Sequence, residues 1–160
     1  MPAHRPLPYH GAVHHRFTAD LEAGPGAVFA VVSDLGTYAE WLGIVQRVEV
    51  DPGSDGGAWF VTLRAKLGPL ARSKRLRMIR TVADEPTSAR FERAELDGRD
   101  HAAWILSAEL APGRAPTSTR LTMDLSYGGR LWTSALRPIL DAQVATATAK
   151  LNELATESVT

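Results

Sequence analysis

The sequence predicts an α+β fold: a curved, seven-stranded antiparallel sheet wrapped around a long C-terminal helix, with two short helices after the first strand. Three observations lead there. Apolar residues recur with a period of two in seven short runs, a Gly-Pro break followed by helical spacing separates the first run from the second, and the period becomes helical from Leu131 onward.

Taken in order, residues 1–12 hold three prolines and a glycine and read as a flexible arm ahead of a single domain at 13–160. Val13–Leu21 alternates, with Val13, His15, Phe17, Ala19 and Leu21 on one face, as a half-buried strand does. Gly24-Pro25-Gly26 ends it, and Pro25 suits the first turn of a helix whose apolar side is Val28, Phe29, Val31 and Val32. Asp34 can cap a second short helix, in which Leu35, Tyr38, Trp41 and Leu42 sit at helical spacing. Six strands follow at about Ile44–Asp51, Ala58–Leu67, Lys74–Ala83, Ala89–Leu96, His101–Leu110 and Thr119–Tyr127, separated by Gly-, Pro- and Asp-containing turns. From Leu131 to about Ala155, Trp132, Leu136, Ile139, Leu140, Val144, Ala147, Leu151 and Leu154 form one stripe. Pro138 lies inside it, so either the helix starts near Leu131 and bends, or its regular part starts at Ser134 or later.

Composition bounds the function. At 160 residues and 44% hydrophobic content the chain can bury one core. Eighteen cationic and eighteen acidic residues balance, so no bulk charge recruits nucleic acid. Without cysteine there are no disulfides, thiolate nucleophiles or zinc–thiolate sites. No apolar run is long enough for a membrane span or a signal peptide, and a reducing cytoplasm is the expected setting. The five histidines lack ligand geometry; adjacent His14 and His15 point to opposite strand faces, and His101 starts a strand beside the Asp97-Gly98 turn. Neither a metal nor a cofactor is expected.

Strand parity sorts the faces. Trp59, Val61, Leu63, Leu76, Met78, Arg80, Val82, Trp104, Leu106, Met123, Leu125 and Tyr127 should face the long helix. The opposite sets, with Arg64, Lys66, Arg75, Arg77 and Asp124, should form a solvated outer face. If Phe91 points inward, Arg93 and Glu95 do too, and a buried charge left unpaired costs about 3–5 kcal/mol.

The order of elements, with Asp34-x-x-x-Tyr38-x-x-Trp41 after the first strand, resembles the START-like helix-grip (SRPBCC) superfamily, in particular its bacterial polyketide cyclase/dehydrase and lipid-transport branch. Lys66-Leu67-Gly68-Pro69-Leu70 and Glu95-Leu96-Asp97-Gly98-Arg99 look like the strand-connecting loops of such proteins. The resemblance covers roughly Val13–Ala155 and implies an internal pocket for a hydrophobic small molecule. It does not imply catalysis, because members include carriers, receptors, cyclases and co-chaperone modules.

On this basis the expected lining is Trp59, Val61, Leu63, Met78, Arg80, Phe91, Trp104, Met123, Tyr127, Trp132, Leu136 and Leu140. Arg80, Arg93, Glu95 and Tyr127 are the catalytic candidates: the arginines would steady an enolate or carbonyl, and Tyr127 or Glu95 would move protons. The competing explanation for Arg93 and Glu95 is an ion pair at the pocket mouth or sheet edge. Tyr38 and Trp41 read as core or lid packing rather than chemistry. Arg64, Lys66, Arg72, Lys74, Arg75 and Arg77 concentrate positive charge, either paired with Glu92 and Asp124 or available to an acidic acyl carrier protein. Three functions compete: a binding module for a lipid-like or aromatic, polyketide-like molecule; a cyclase/aromatase-type enzyme for aldol ring closure and dehydration; and a protein-interaction module. A monomer or a homodimer suits each.

Overall fold

The computed structural model describes residues 13–129 and 132–157; the expected N-terminal arm and Leu131 lie outside them. Seven antiparallel strands form one sheet: β1 (Val13–Leu21), β2 (Val45–Val50), β3 (Ala58–Leu67), β4 (Leu70–Asp84), β5 (Ser88–Arg93), β6 (Trp104–Pro112) and β7 (Thr119–Tyr127). Their order is β1-β7-β6-β5-β4-β3-β2, so the first strand pairs with the last while the second lies at the far edge. Between those edges the chain runs through α1 (Pro25–Val32), a 3-10 turn (Leu35–Thr37) and α2 (Tyr38–Trp41). The C-terminal helix α3 (Trp132–Glu157) packs against β1, α1 and α2.

Local chemistry places the short helices as the sequence predicts. Pro25 occupies the first turn of α1 after an extended Gly24, and Asp34 Oδ1 accepts the Gly36 N–H at the start of the 3-10 turn. The C-terminus of α1 is then closed from three directions. Thr37 Oγ1 donates to Val31 O at 2.8 Å, Tyr38 Oη to Val32 O at 2.7 Å, and Arg80 Nη1 to Ser33 O at 2.9 Å. Carbonyls that a helix end leaves without partners are thereby satisfied, two of them by side chains from the next turn and one across to the sheet.

Parity orders the sheet interior. Trp59, Val61, Leu63, Leu76, Met78, Ala89, Phe91, Trp104, Ala108, Leu121, Met123 and Tyr127 are all buried in one core with the helices. Two departures have clear causes. A register shift between Arg80 and Val82 places Val82 opposite the exposed Arg90, taking it off the inner face where strict alternation put it. β4 also starts at Leu70 rather than Lys74, because the tight Gly68-Pro69 connection lets β3 and β4 pair through to Leu67↔Leu70, with Gly68 at φ +67°. β5 ends at Arg93 rather than Leu96, and β6 begins at Trp104 rather than His101. α3 includes both Trp132 and Pro138, as a helix starting near Leu131 requires.

The outer face holds a correction. Arg77 is not solvated: its Nε donates to Asp51 Oδ2 at 2.9 Å and its Nη1 to Ala94 O at 2.9 Å, with the Arg77 and Asp51 side chains only 12% and 11% exposed. Nor do Glu92 and Asp124 neutralise the basic stripe. Arg90 takes Glu92 at 3.6 Å and Arg16 takes Asp124 at 2.8 Å, while Arg75 stacks on Phe60 at 4.1 Å. The Gly53 N–H first, and then Arg77, hold the Asp51 carboxyl below the usual carboxylate range. A depressed folded pKa stabilises the protein above the unfolded carboxyl value, about 4, and the benefit is lost as pH falls through the folded value. Replacing Arg77 by Met should lower Tm by about 5–10 °C near pH 7. In thermal melts across pH 2.5–7 the gap between variant and wild type should narrow at the acid end; a constant gap would refute the coupling to Asp51.

Candidate functional site

α3 lies across the concave face and three of its polar side chains fasten it to the rest of the chain. Arg137 Nη2 donates to His14 O at 2.6 Å, Gln143 Oε1 accepts the Ile44 N–H at 3.0 Å, and Asn152 Oδ1 accepts the Glu22 N–H at 2.8 Å. Packing along the helix is uneven. Trp132 and Leu136 near its start and Ala147, Leu151 and Ala155 toward its end are buried, whereas Ile139, Leu140 and Val144 between them are only half-buried.

Beneath this looser stretch is an apolar cavity of about 50 Å³. Its walls come from β1 (His15, Phe17), α2 and its end (Tyr38, Trp41, Leu42), β6 and β7 (Leu106, Met123, Leu125) and α3 (Leu140, Val144, Ala147). Tyr38 and Trp41 pack with ring centroids 4.5 Å apart, and Tyr38 continues edge-on to Phe91 at 6.2 Å, so the α2 wall is braced by the core aromatics. Burial pushes the Tyr38 hydroxyl well above its ordinary pKa, which keeps it the proton donor of its bond to Val32.

A second aromatic group stands beyond the cavity toward the start of α3. Trp104 and Tyr127 face each other across β6 and β7 with centroids 5.3 Å apart, and Trp132 meets Trp104 edge-on at 6.3 Å. Lys74 Nζ stands over the Trp104 ring, 6.0 Å from its centroid; burial first, and then the like charge of Arg93, lower its pKa. Among the described residues, three buried side-chain polar atoms find no hydrogen-bond partner in the protein: His15 Nε2, Trp104 Nε1 and Tyr127 Oη.

Of the residues the sequence singled out, Met123 and Leu140 line the cavity. Trp59, Val61, Leu63, Met78, Phe91, Trp104, Tyr127, Trp132 and Leu136 are buried in the surrounding core. Arg93 faces inward, pairs with Glu95 Oε1 at 3.1 Å and donates to Ala102 O at 3.3 Å. Glu95 lies past the end of β5, where the same Oε1 also accepts the Arg77 N–H at 2.9 Å. Arg80 stands apart from that pair, holding the end of α1 with its guanidinium 5.8 Å from the Trp59 centroid. His101 is exposed and paired with Asp97 at 2.8 Å. His15, Phe17, Tyr38, Trp41, Leu42, Leu106, Leu125, Val144 and Ala147 were not in the predicted lining. Parity had already set His15 and Phe17 inward, but which inward residues border an unfilled space depends on where α2 and α3 come to rest.

A sheet closed over one long helix, with an apolar space between, is the helix-grip architecture of START-like proteins. The chain belongs to the polyketide cyclase/dehydrase and lipid transport family, whose model matches residues 12–158. Solved structures agree on the fold. A START superfamily protein from Mycobacterium smegmatis superposes with a TM-score of 0.65 at 18% identity, covering 92% of this chain and 99% of its own. A protein from Thermus thermophilus gives 0.65 at 19%, covering 92% and 100%. The di-domain ARO/CYC StfQ of the steffimycin biosynthetic pathway gives 0.65 at 12% identity; the match covers 95% of this chain but 53% of that larger one. No curated protein matches the chain by sequence. No helix among the described residues is long and apolar enough to cross a membrane.

The position of Arg80 has a measurable consequence. Arg80→Met should lower Tm by about 3–6 °C by releasing the end of α1 from the sheet. An unchanged Tm in differential scanning calorimetry would remove its capping role.

Proposed function

We propose that the protein binds a hydrophobic small molecule, lipid-like or aromatic and polyketide-like, between the sheet and α3. The observation that carries this reading is the apolar cavity under the half-buried Ile139–Val144 stretch of α3, walled by Phe17, Tyr38, Trp41, Met123, Leu140 and Ala147. An apolar space left unfilled by side chains forfeits dispersion contacts that a guest would restore.

At about 50 Å³ the space is a fraction of the roughly 300–1,000 Å³ of small-molecule pockets, so a guest of that size requires it to widen. Widening falls to the stretch of α3 from Pro138 to Val144. Pro138 has no N–H to return to the preceding turn, Ile139, Leu140 and Val144 are half-buried, and Gly128-Gly129, with Gly129 at φ +112°, joins the helix to β7. A ligand brought by an acidic acyl carrier protein would meet Arg64, Lys66, Arg72 and Arg75, which are exposed on the β3–β4 hairpin and have no acidic partner among the described residues.

Binding is preferred to cyclase chemistry by Arg80, Arg93, Glu95 and Tyr127 because those groups do not converge on one reacting atom. Arg80 is engaged by Ser33, and Arg93 by Glu95 and Ala102.

The test is titration with 2-ethylnaphthalene, followed by NMR, for the wild type and for Ala147→Leu. The added side-chain carbons fill the cavity, so the variant should bind at least about tenfold more weakly while its Tm holds or rises. Undiminished binding by a folded Ala147→Leu would place the site elsewhere.

A further inference from the structure

We propose that His15, Trp104 and Tyr127 form the polar end of this cavity, a subsite for one neutral oxygen function, a ketone or hydroxyl, on an otherwise apolar guest. The inference rests on the binding reading above and specifies which chemistry the guest carries.

Among the described residues, the three buried polar atoms without a protein hydrogen bond are not scattered; they share two adjacent rungs of three neighbouring strands. Tyr127 pairs with Val13 on one side and with Trp104 on the other; one rung along the same face, Leu125 pairs with His15 and with Leu106. Leu125, Leu106 and His15 are cavity wall. The wall of the apolar space therefore abuts, two residues further along β6 and β7, a buried corner that carries a Trp N–H and a Tyr O–H. Trp104 is 3% exposed, Tyr127 1% and the His15 side chain 8%, so none of these atoms can turn to bulk water. Buried polar groups are as a rule hydrogen-bonded, and three exceptions in one corner beside a cavity mark a place where the partner is a guest.

The donors define the guest. Burial raises the Tyr127 pKa, so its hydroxyl keeps its proton. A carbonyl oxygen with two lone pairs can accept from Tyr127 Oη and Trp104 Nε1 together. His15 Nε2 accepts from a guest hydroxyl when that nitrogen is unprotonated and donates to a carbonyl when it carries the proton.

Surrounding charge favours neutrality. Arg137 and Asp141 act on Tyr127 from α3 in opposite senses. Asp141 Oδ1 lies 3.4 Å from His15 Nε2, without hydrogen-bond geometry, and would repel an anion. Arg93 is already bound by Glu95, and Lys74 addresses the face of the Trp104 ring.

The experiment compares 2-acetylnaphthalene with 2-ethylnaphthalene and 2-naphthoate, by NMR titration, on wild type, Tyr127→Phe and Tyr127→Phe/Trp104→Phe. The wild type should prefer the ketone to the ethyl compound by at least about tenfold. Tyr127→Phe should erase most of that preference, and the double variant the rest. The Tm of Tyr127→Phe should equal or exceed the wild-type value, because a hydroxyl without a partner is removed. A lowered Tm instead would identify the hydroxyl as a structural group and overturn the subsite. Equal wild-type affinity for ketone and ethyl compound would overturn it while leaving the apolar container standing. Tighter binding of 2-naphthoate than of the ketone would overturn its neutrality. Failure of all three probes on the wild type would overturn the binding reading itself.

Discussion

The seating of α3 on the concave sheet is the constraint on which the rest of the structure depends. Its apolar stripe supplies one side of the core, over β1 and beside α1 and α2. Side-chain bonds to backbone set where along the sheet the helix lies: Arg137 to β1, Gln143 to the chain entering β2, and Asn152 to the chain leaving β1. These are directional contacts in a packing that hydrophobic burial alone would leave free to slide. They also divide the helix. At Trp132 and Leu136 and again beyond Ala147 it is part of the core; between them, Leu140 and Val144 cover a space the helix does not fill.

The crossover from β1 to β2 contributes the second wall. Because those strands occupy opposite edges, α1 and α2 must span the sheet, and the end of α1 has to be held where the chain turns into the 3-10 segment. Thr37, Tyr38 and Arg80 do this by satisfying three successive carbonyls. One consequence is functional. Tyr38 is fixed by its hydroxyl, so its ring and the Trp41 ring packed beside it form a rigid cavity wall opposite the more loosely held α3.

Charge within the sheet follows from the same need for partners. Arg77, Arg80 and Arg93 each sit where a guanidinium can reach a carbonyl or carboxylate within about hydrogen-bond distance, and each does. Among the described residues, the buried side-chain atoms left without a hydrogen bond are instead on His15, Trp104 and Tyr127. A site built from an apolar space and neutral donors is suited to holding and orienting a guest.

Strand number, the α1–α2 insertion and the inward set Trp59, Met78, Phe91 and Met123 were legible in the sequence, because side-chain alternation and helical spacing are local properties of the backbone. The inward turn of Arg93 followed from Phe91 by the same rule. Where non-local geometry intervenes, that rule stops. The irregularity after Arg80 moved Val82 across the sheet, and Asp51, brought near by the β2–β3 turn, drew in an Arg77 that alternation alone assigned to solvent. The cavity was the least legible feature. Its walls combine β1, β6, β7, α2 and α3, and its volume is the small remainder between them. Sequence alone determined most of the residues that turn inward; only the tertiary structure decided the exceptions, and which residues touch and which face empty space, because that depends on sheet register and on how far the helices stand from the sheet.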